Sequence, residues 1–156
     1  MKTLIPAIIK KLKENPAIKA KFGDNIYALW NQNQPGVLTT ANKFPFIGVT
    51  TGIINRVHEG SQLVYEALQP KIFIYHEKSL RETNLVDELL DFQQMVKEAL
   101  EYDINFTGTG YVGAEIYEVL CIQMGEPEPF TDENHQYAAR ISLVLQYERL
   151  LEEVLI

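Results

Sequence analysis

An α+β fold is what this sequence predicts: a mainly antiparallel sheet of four or more strands, with an N-terminal helix and one long helix, about 84–101, packed on it. Three observations carry that prediction. Two stretches, 4–13 and 84–101, repeat apolar residues at helical spacing. Between and after them run segments rich in β-branched and aromatic residues, bounded by turn-forming types. A chain of 156 residues can also bury one hydrophobic core but not two comfortable ones, so a single domain over 1–156 is expected.

Leu4, Ile5, Ile8, Ile9 and Leu12 form the first stripe, with Lys10, Lys11 and Lys13 outside it. Thr3 suits an N-cap, and Pro6 falls in the first turn, where its missing N–H does little harm. Such a basic amphipathic helix can lie on a membrane, but packing on its own domain is the commoner use. Pro16 restarts the chain, and "AIKAKF" gives a further short turn ending at Gly23. "NIYALW" and "FPFIGVTTGII" read as strands, separated by the polar loop "NQNQPGVLTTANK". "QLVYEAL" and "KIFIYHE" continue the β signal, and Pro70 between them cannot donate to a ladder. A bulge, a bend or a sheet edge is expected there.

In the long helix, Leu85, Leu89, Phe92, Val96 and Leu100 make the stripe, backed by Val86, Leu90 and Ala99. Asn84 can cap it, and Asp87, Glu88 and Asp91 suit the positive end of the helix dipole. "GAEIYEVLCIQM" then reads as a strand, and "GEPEPFTDEN" as a loop rich in proline and acid. The segment from Tyr137 fits either period. Ala139, Ile141, Leu143, Leu145 and Tyr147 alternate with Arg140, Ser142, Gln146 and Glu148, whereas Tyr137, Ile141, Val144, Leu145 and Leu151 suit a helix. Alternation covers more positions, so a strand through about Arg149 is expected.

Composition narrows the function classes. Apolar content of 46% with 22% charge is that of a soluble globular domain, and no run of about 18 apolar residues could span a bilayer. The apolar stretch in "MKTLIPAIIKKLK" is too short for a signal peptide. Cys121 is the single cysteine, flanked by Leu120 and Ile122, which suggests a buried thiol and an intracellular, reducing setting. A net charge of −7 argues against nucleic-acid binding, which needs cations to replace counterions along the phosphates. That charge is unevenly spread. Residues 1–60 carry +5 and residues 61–156 carry −12. Such halves can be two solvated faces, or two surfaces that meet between subunits, where complementary fields set register and encounter rate.

One motif invites a chemical reading. Gly108, Gly110 and Gly113 followed by Ala114 match the glycine pattern of a dinucleotide-binding turn. That turn works only where a buried parallel strand leads in and a helix starts at the third glycine, facing the pyrophosphate. The lead-in "EYDINF" alternates like a half-exposed segment, and the Tyr, Val, Ile and Cys that come next favour strand. The acid expected further on falls in the "EPEPFTDEN" loop. The glycines therefore read as turn formers. His58, His76 and His135 lack zinc-binding spacing, and Cys121 in an apolar strand is a poor thiolate for any pairing with His135. Glu115/Glu118 and Glu126/Glu128 are not placed across a cleft by anything in the sequence. No catalytic residue, cofactor or metal site is expected, and the chain is not expected to be an enzyme.

The order of elements then becomes informative. It runs amphipathic helix, Gly23-Asp24-x-Ile26-Tyr27, polar loop, Pro45-Phe46-Ile47, further strands, long helix and two final strands. This resembles the small tail-terminator and tail-completion (head–tail joining) proteins of long-tailed bacteriophages. The resemblance implies a structural protein without catalytic residues. It implies a ring, usually a hexamer, that terminates the tail tube and meets the head-side connector. Its partners would be copies of itself, the tail tube protein and the connector, with no nucleic-acid sequence recognition and no membrane. Its place would be the tail–head junction of the virion, after assembly in the host cytoplasm. An edge strand, blunted by Pro70 or left open at the chain's end, could pair across subunits. Trp30, Gln34 and Phe130, in or beside the two polar loops, are the expected partner contacts. The alternatives are a small nucleotide-binding enzyme using the Gly108–Gly113 turn, and an acidic adaptor or immunity-type protein that docks a basic partner.

Overall fold

A computed structural model of the chain describes residues 4–29, 43–59, 63–77, 82–104, 116–132 and 137–153. Within these described residues three helices, α1 (Leu4–Glu14), α2 (Pro16–Phe22) and α3 (Glu82–Leu100), accompany six strands. The strands are β1 (Ile26–Leu29), β2 (Phe46–Glu59), β3 (Leu63–Glu77), β4 (Ile116–Met124), β5 (Glu128–Thr131) and β6 (Tyr137–Glu153). They form one sheet in the order β1-β2-β3-β6-β4, with β5 also paired to β6. All pairings are antiparallel except β1 with β2. The fold is α+β, as the periodicities required.

The helices cover one face of the sheet. Leu4, Ile8 and Leu12 of α1, Ile18 and Phe22 of α2, and Leu89, Phe92, Val96 and Leu100 of α3 bury against Ile47, Val49, Ile72, Ile74, Ile141, Leu143 and Leu145. Phe22 and Phe92 meet edge to face, with ring centroids 4.8 Å apart, and so tie α2 to α3. Asn15 caps α2 by accepting from the N–H groups of Ala17 and Ile18, with Pro16 in the first turn. Gly23 ends α2 at a φ of 57°, a conformation that only glycine adopts without a Cβ penalty. Asn84 does not cap α3, because the helix already begins at Glu82. Thr3 lies outside the described residues.

The strand expected from alternation over 137–149 is β6, and it lies inside the sheet. β3 flanks it on one side and β4 and β5 on the other, so it offers no open edge over most of its length. Pro70 is not at a sheet edge either. β3 is a central strand, and its neighbour β2 accommodates the proline by a bulge between Thr50 and Ile53. Gly52 sits at that bulge, so close to β3 that a Cβ added there would overlap the Gln69 carbonyl. The absent side chain lets the two backbones approach where Pro70 has no N–H to offer.

A second apolar cluster fills the opposite face of the sheet. Leu29, Phe46, Phe73, Tyr75 and Ala138 are buried there, with Tyr27, Phe44 and Phe130 packed against them. The two faces reflect the period-2 alternation of β3: Ile72 and Ile74 point to the helices, Phe73 and Tyr75 away from them.

Candidate interaction surface

The described residues converge on a surface where α3, β4 and β5 meet. Gln93, 2% exposed, donates from Nε2 to the carbonyls of Gly125 (2.9 Å) and Ser142 (2.8 Å). Gly125 also donates its own N–H to the Ser142 carbonyl at 2.8 Å. One buried amide thus staples the helix to the end of β4 and to β6. Leu90 and Val86 share that flank of α3 with Gln93, one and two turns earlier. They are not core residues backing the stripe: they are 42% and 48% exposed. Beside them Leu85, Val86 and Leu89 line a groove of about 200 Å³, closed by Pro127, Glu128, Pro129, Ala138 and Ala139. Ile122 and Met124 of β4, each 44% exposed, extend the apolar surface.

Acidic side chains lie near this groove. Asp87 and Asp91 are exposed on the outer face of α3, next in sequence to Val86 and Leu90, Glu126 is exposed on the β4–β5 connection, and Glu128, at the start of β5, lines the groove. Glu128 is engaged, because Arg140 reaches its Oε1 from both Nε (2.8 Å) and Nη2 (2.7 Å). The Arg140 guanidinium also lies over the rings of Phe130 (4.4 Å) and Phe73 (4.7 Å). Burial pushes the Tyr75 hydroxyl above its ordinary pKa, partly offset by Arg140 nearby.

The outer edge of β4 is covered by the end of α3. Glu101 accepts from the Cys121 N–H at 2.7 Å, and the Tyr102 N–H donates to the Val119 carbonyl at 2.9 Å. Burial works against the charged form of Glu101, but hydrogen bonds from Lys97 and Cys121 and the Lys97 charge outweigh it. Its carboxyl is held below the usual range. The middle of this edge strand is therefore occupied and does not offer a free ladder.

Of the expected contact residues, Phe130 alone falls among the described residues. Phe130 lies in β5, half-buried, its ring 5.4 Å from Tyr75 in an edge-to-face contact. Trp30 and Gln34 lie outside the described residues, as do Gly108, Gly110, Gly113 and His135. "GEPEPFTDEN" is not wholly loop, since Glu128–Thr131 pairs with Tyr137–Arg140. The first described element after the glycines is β4, antiparallel to β6, whereas a dinucleotide turn leads into a helix. Residues 101–104 are a turn and irregular chain, with no parallel strand. The Cys121 thiol is half-buried, and that burial raises its pKa, with the Glu101 carboxylate adding to the effect. Among the described residues no group of three or more His, Cys, Asp or Glu side chains could hold a metal ion, and no helix is long and apolar enough to cross a membrane.

No protein-family model matches the chain, and no curated protein matches it by sequence. A solved structure does match it in fold: a chain in the virion of a native gene transfer agent (GTA) particle, with a TM-score of 0.59. The likeness covers 95% of each chain at 13% sequence identity. This chain has the fold of a virion component. At that identity the likeness is one of architecture.

Proposed function

We propose that this chain is a structural virion assembly protein, one subunit of an oligomeric ring that terminates a tail tube and joins it to the head connector. The observation that carries the reading is the fold shared over 95% of both chains with a gene transfer agent virion component. Two features support it. Gly23, Asp24, Ile26 and Tyr27 on one side and Pro45, Phe46 and Ile47 on the other resemble tail-terminator proteins in sequence. In the fold, β1 and β2 pair them in parallel, Ile26 opposite Ile47. The chain also carries unlike charge in its two halves, +5 over residues 1–60 and −12 over residues 61–156, which suits a ring, where each subunit meets its neighbours through different patches. On this reading the ring is a hexamer, its partners are the tail tube protein and the head-side connector, and its work is docking, with no reaction catalysed. Phe130, Trp30 and Gln34 belong to the contacts with those partners. The place of the ring is the tail–head junction, reached after assembly in the host cytoplasm.

Light scattering across a salt series tests the reading. A particle several times the 17.9 kDa of one chain at low salt, shrinking as salt rises, is the expected result. A monomer at micromolar concentration and low salt overturns it.

A further inference from the structure

We propose that the groove between α3 and β5 receives α2 of a second copy of this chain, so that the subunits join head to tail through an acidic, apolar socket and a basic, small-residue helix. The proposal rests on the ring reading above and says which surfaces make it.

The socket and the plug lie on opposite flanks of α3. Glu88 of α3 reaches the His76 Nε2 of β3 at 3.1 Å, and Phe92 meets Phe22 of α2. On that flank the helix layer continues into α1 and α2, with α1 packed over β1 and β2. Gln93 points the other way, to the Gly125 carbonyl, and on that side Val86 lines the groove. A subunit therefore presents α2 at one side and the groove at the other. Contacts between such unlike patches repeat around a ring and do not end at a dimer.

The surfaces are complementary in charge and in size. α2 buries only Ile18 and Phe22, leaving Pro16, Ala17, Lys19, Ala20 and Lys21 exposed. Lys13 lies one turn back at the end of α1. Among the described residues, Lys13, Lys19 and Lys21 have no ion-pair partner, and neither do Asp87, Asp91 and Glu126 near the groove. Cations outside any ion pair at one side and acids outside any ion pair at the other give fields that help align subunits and suppress wrong pairings. The small side chains of Pro16, Ala17 and Ala20 let this helix approach closely, and Val86, Leu90 and the groove offer apolar surface to meet them. Nearby β4 is not free to pair along its whole length, since Glu101 and Tyr102 already occupy the middle of its outer edge.

Native mass spectrometry of paired charge reversals tests this. Lys19→Glu/Lys21→Glu makes both surfaces acidic, and Asp87→Lys/Asp91→Lys makes both basic. Each variant alone is expected to dissociate at concentrations at least about tenfold above wild type. Mixing the two is expected to restore assembly, with the variants alternating, and so is combining all four changes in one chain. Circular dichroism and thermal melting check that each variant is folded. A disulfide between Lys21→Cys and Asp87→Cys, in a Cys121→Ser background, gives an independent reading: oxidation should produce a ladder of linked subunits. A wild-type chain that is monomeric overturns both this inference and the ring. A wild-type oligomer unaffected by either reversal, or an oligomer that gives no ladder, overturns this inference alone.

Discussion

Gly52→Ala should unfold this protein far more readily than its exposed position suggests. Residue 52 is solvent-exposed, and exposed substitutions usually change stability by no more than about 0.5 kcal/mol. Here the added methyl would overlap the Gln69 carbonyl, a backbone group of a central strand that cannot swing aside. Overpacking of this kind costs about 3 kcal/mol, at the upper end of its usual range, because backbone has to move. Alanine also restricts the unfolded chain, which returns about 0.5–1 kcal/mol. The net loss is then about 2 kcal/mol, and for a chain of this size each kcal/mol lowers Tm by about 2–4 °C. Thermal melting followed by circular dichroism should therefore show a fall of roughly 4–8 °C, while Thr51→Ala, next to it, stays near wild type. A Gly52→Ala protein melting within about 1 °C of wild type would refute the argument that this glycine sets the β2–β3 approach beside Pro70.

Three further substitutions probe the surface and its supports. Gln93→Leu leaves the Gly125 and Ser142 carbonyls without their amide, and denaturant unfolding should show a loss of about 1–3 kcal/mol. Glu101→Gln removes the charge of a carboxylate whose pKa is held below the ordinary value of 4.5. Because the folded-state pKa is lowered, the stabilisation is present above that value and fades as pH falls through the folded one. The variant should thus be about 1 kcal/mol less stable near pH 7, with the difference closing below about pH 4.5 in a pH series of melts. Tyr102, 73% exposed, has a φ of 64°. Tyr102→Gly should raise stability by about 0.5–1 kcal/mol, and a lower Tm would count against a backbone penalty there.

Much of the fold could be read from local pattern. Leu4, Ile8 and Leu12, like Leu89, Phe92, Val96 and Leu100, are where their helical spacing puts them, because a stripe at that period can bury only one way. In β6 the alternation of Ile141, Leu143 and Leu145 with Arg140, Ser142 and Gln146 carried the choice between strand and helix. The features that failed to show depended on partners distant in sequence. A bulge was among the outcomes expected at Pro70 and is the one found, but its position in a central strand depends on Gly52, eighteen positions earlier, and no local window contains both. Glu128 to Thr131 has poor strand propensity and is ordered by pairing with β6. Arg140 read as a solvent-side residue, yet it lies between Phe73 and Phe130. Of the interaction surface, the acidity of the C-terminal half was plain, but the groove was not. Val86 and Leu90 fit the apolar pattern of their helix, yet they lie beside the stripe that meets the sheet and stay half-exposed.

The central claim is that this chain works by fitting against copies of itself around an axis. Electron microscopy of the purified protein at low salt tests it most directly. Closed rings of uniform diameter, with an open centre and one subunit number, are the predicted result; separate monomers or compact two-fold dimers would contradict it.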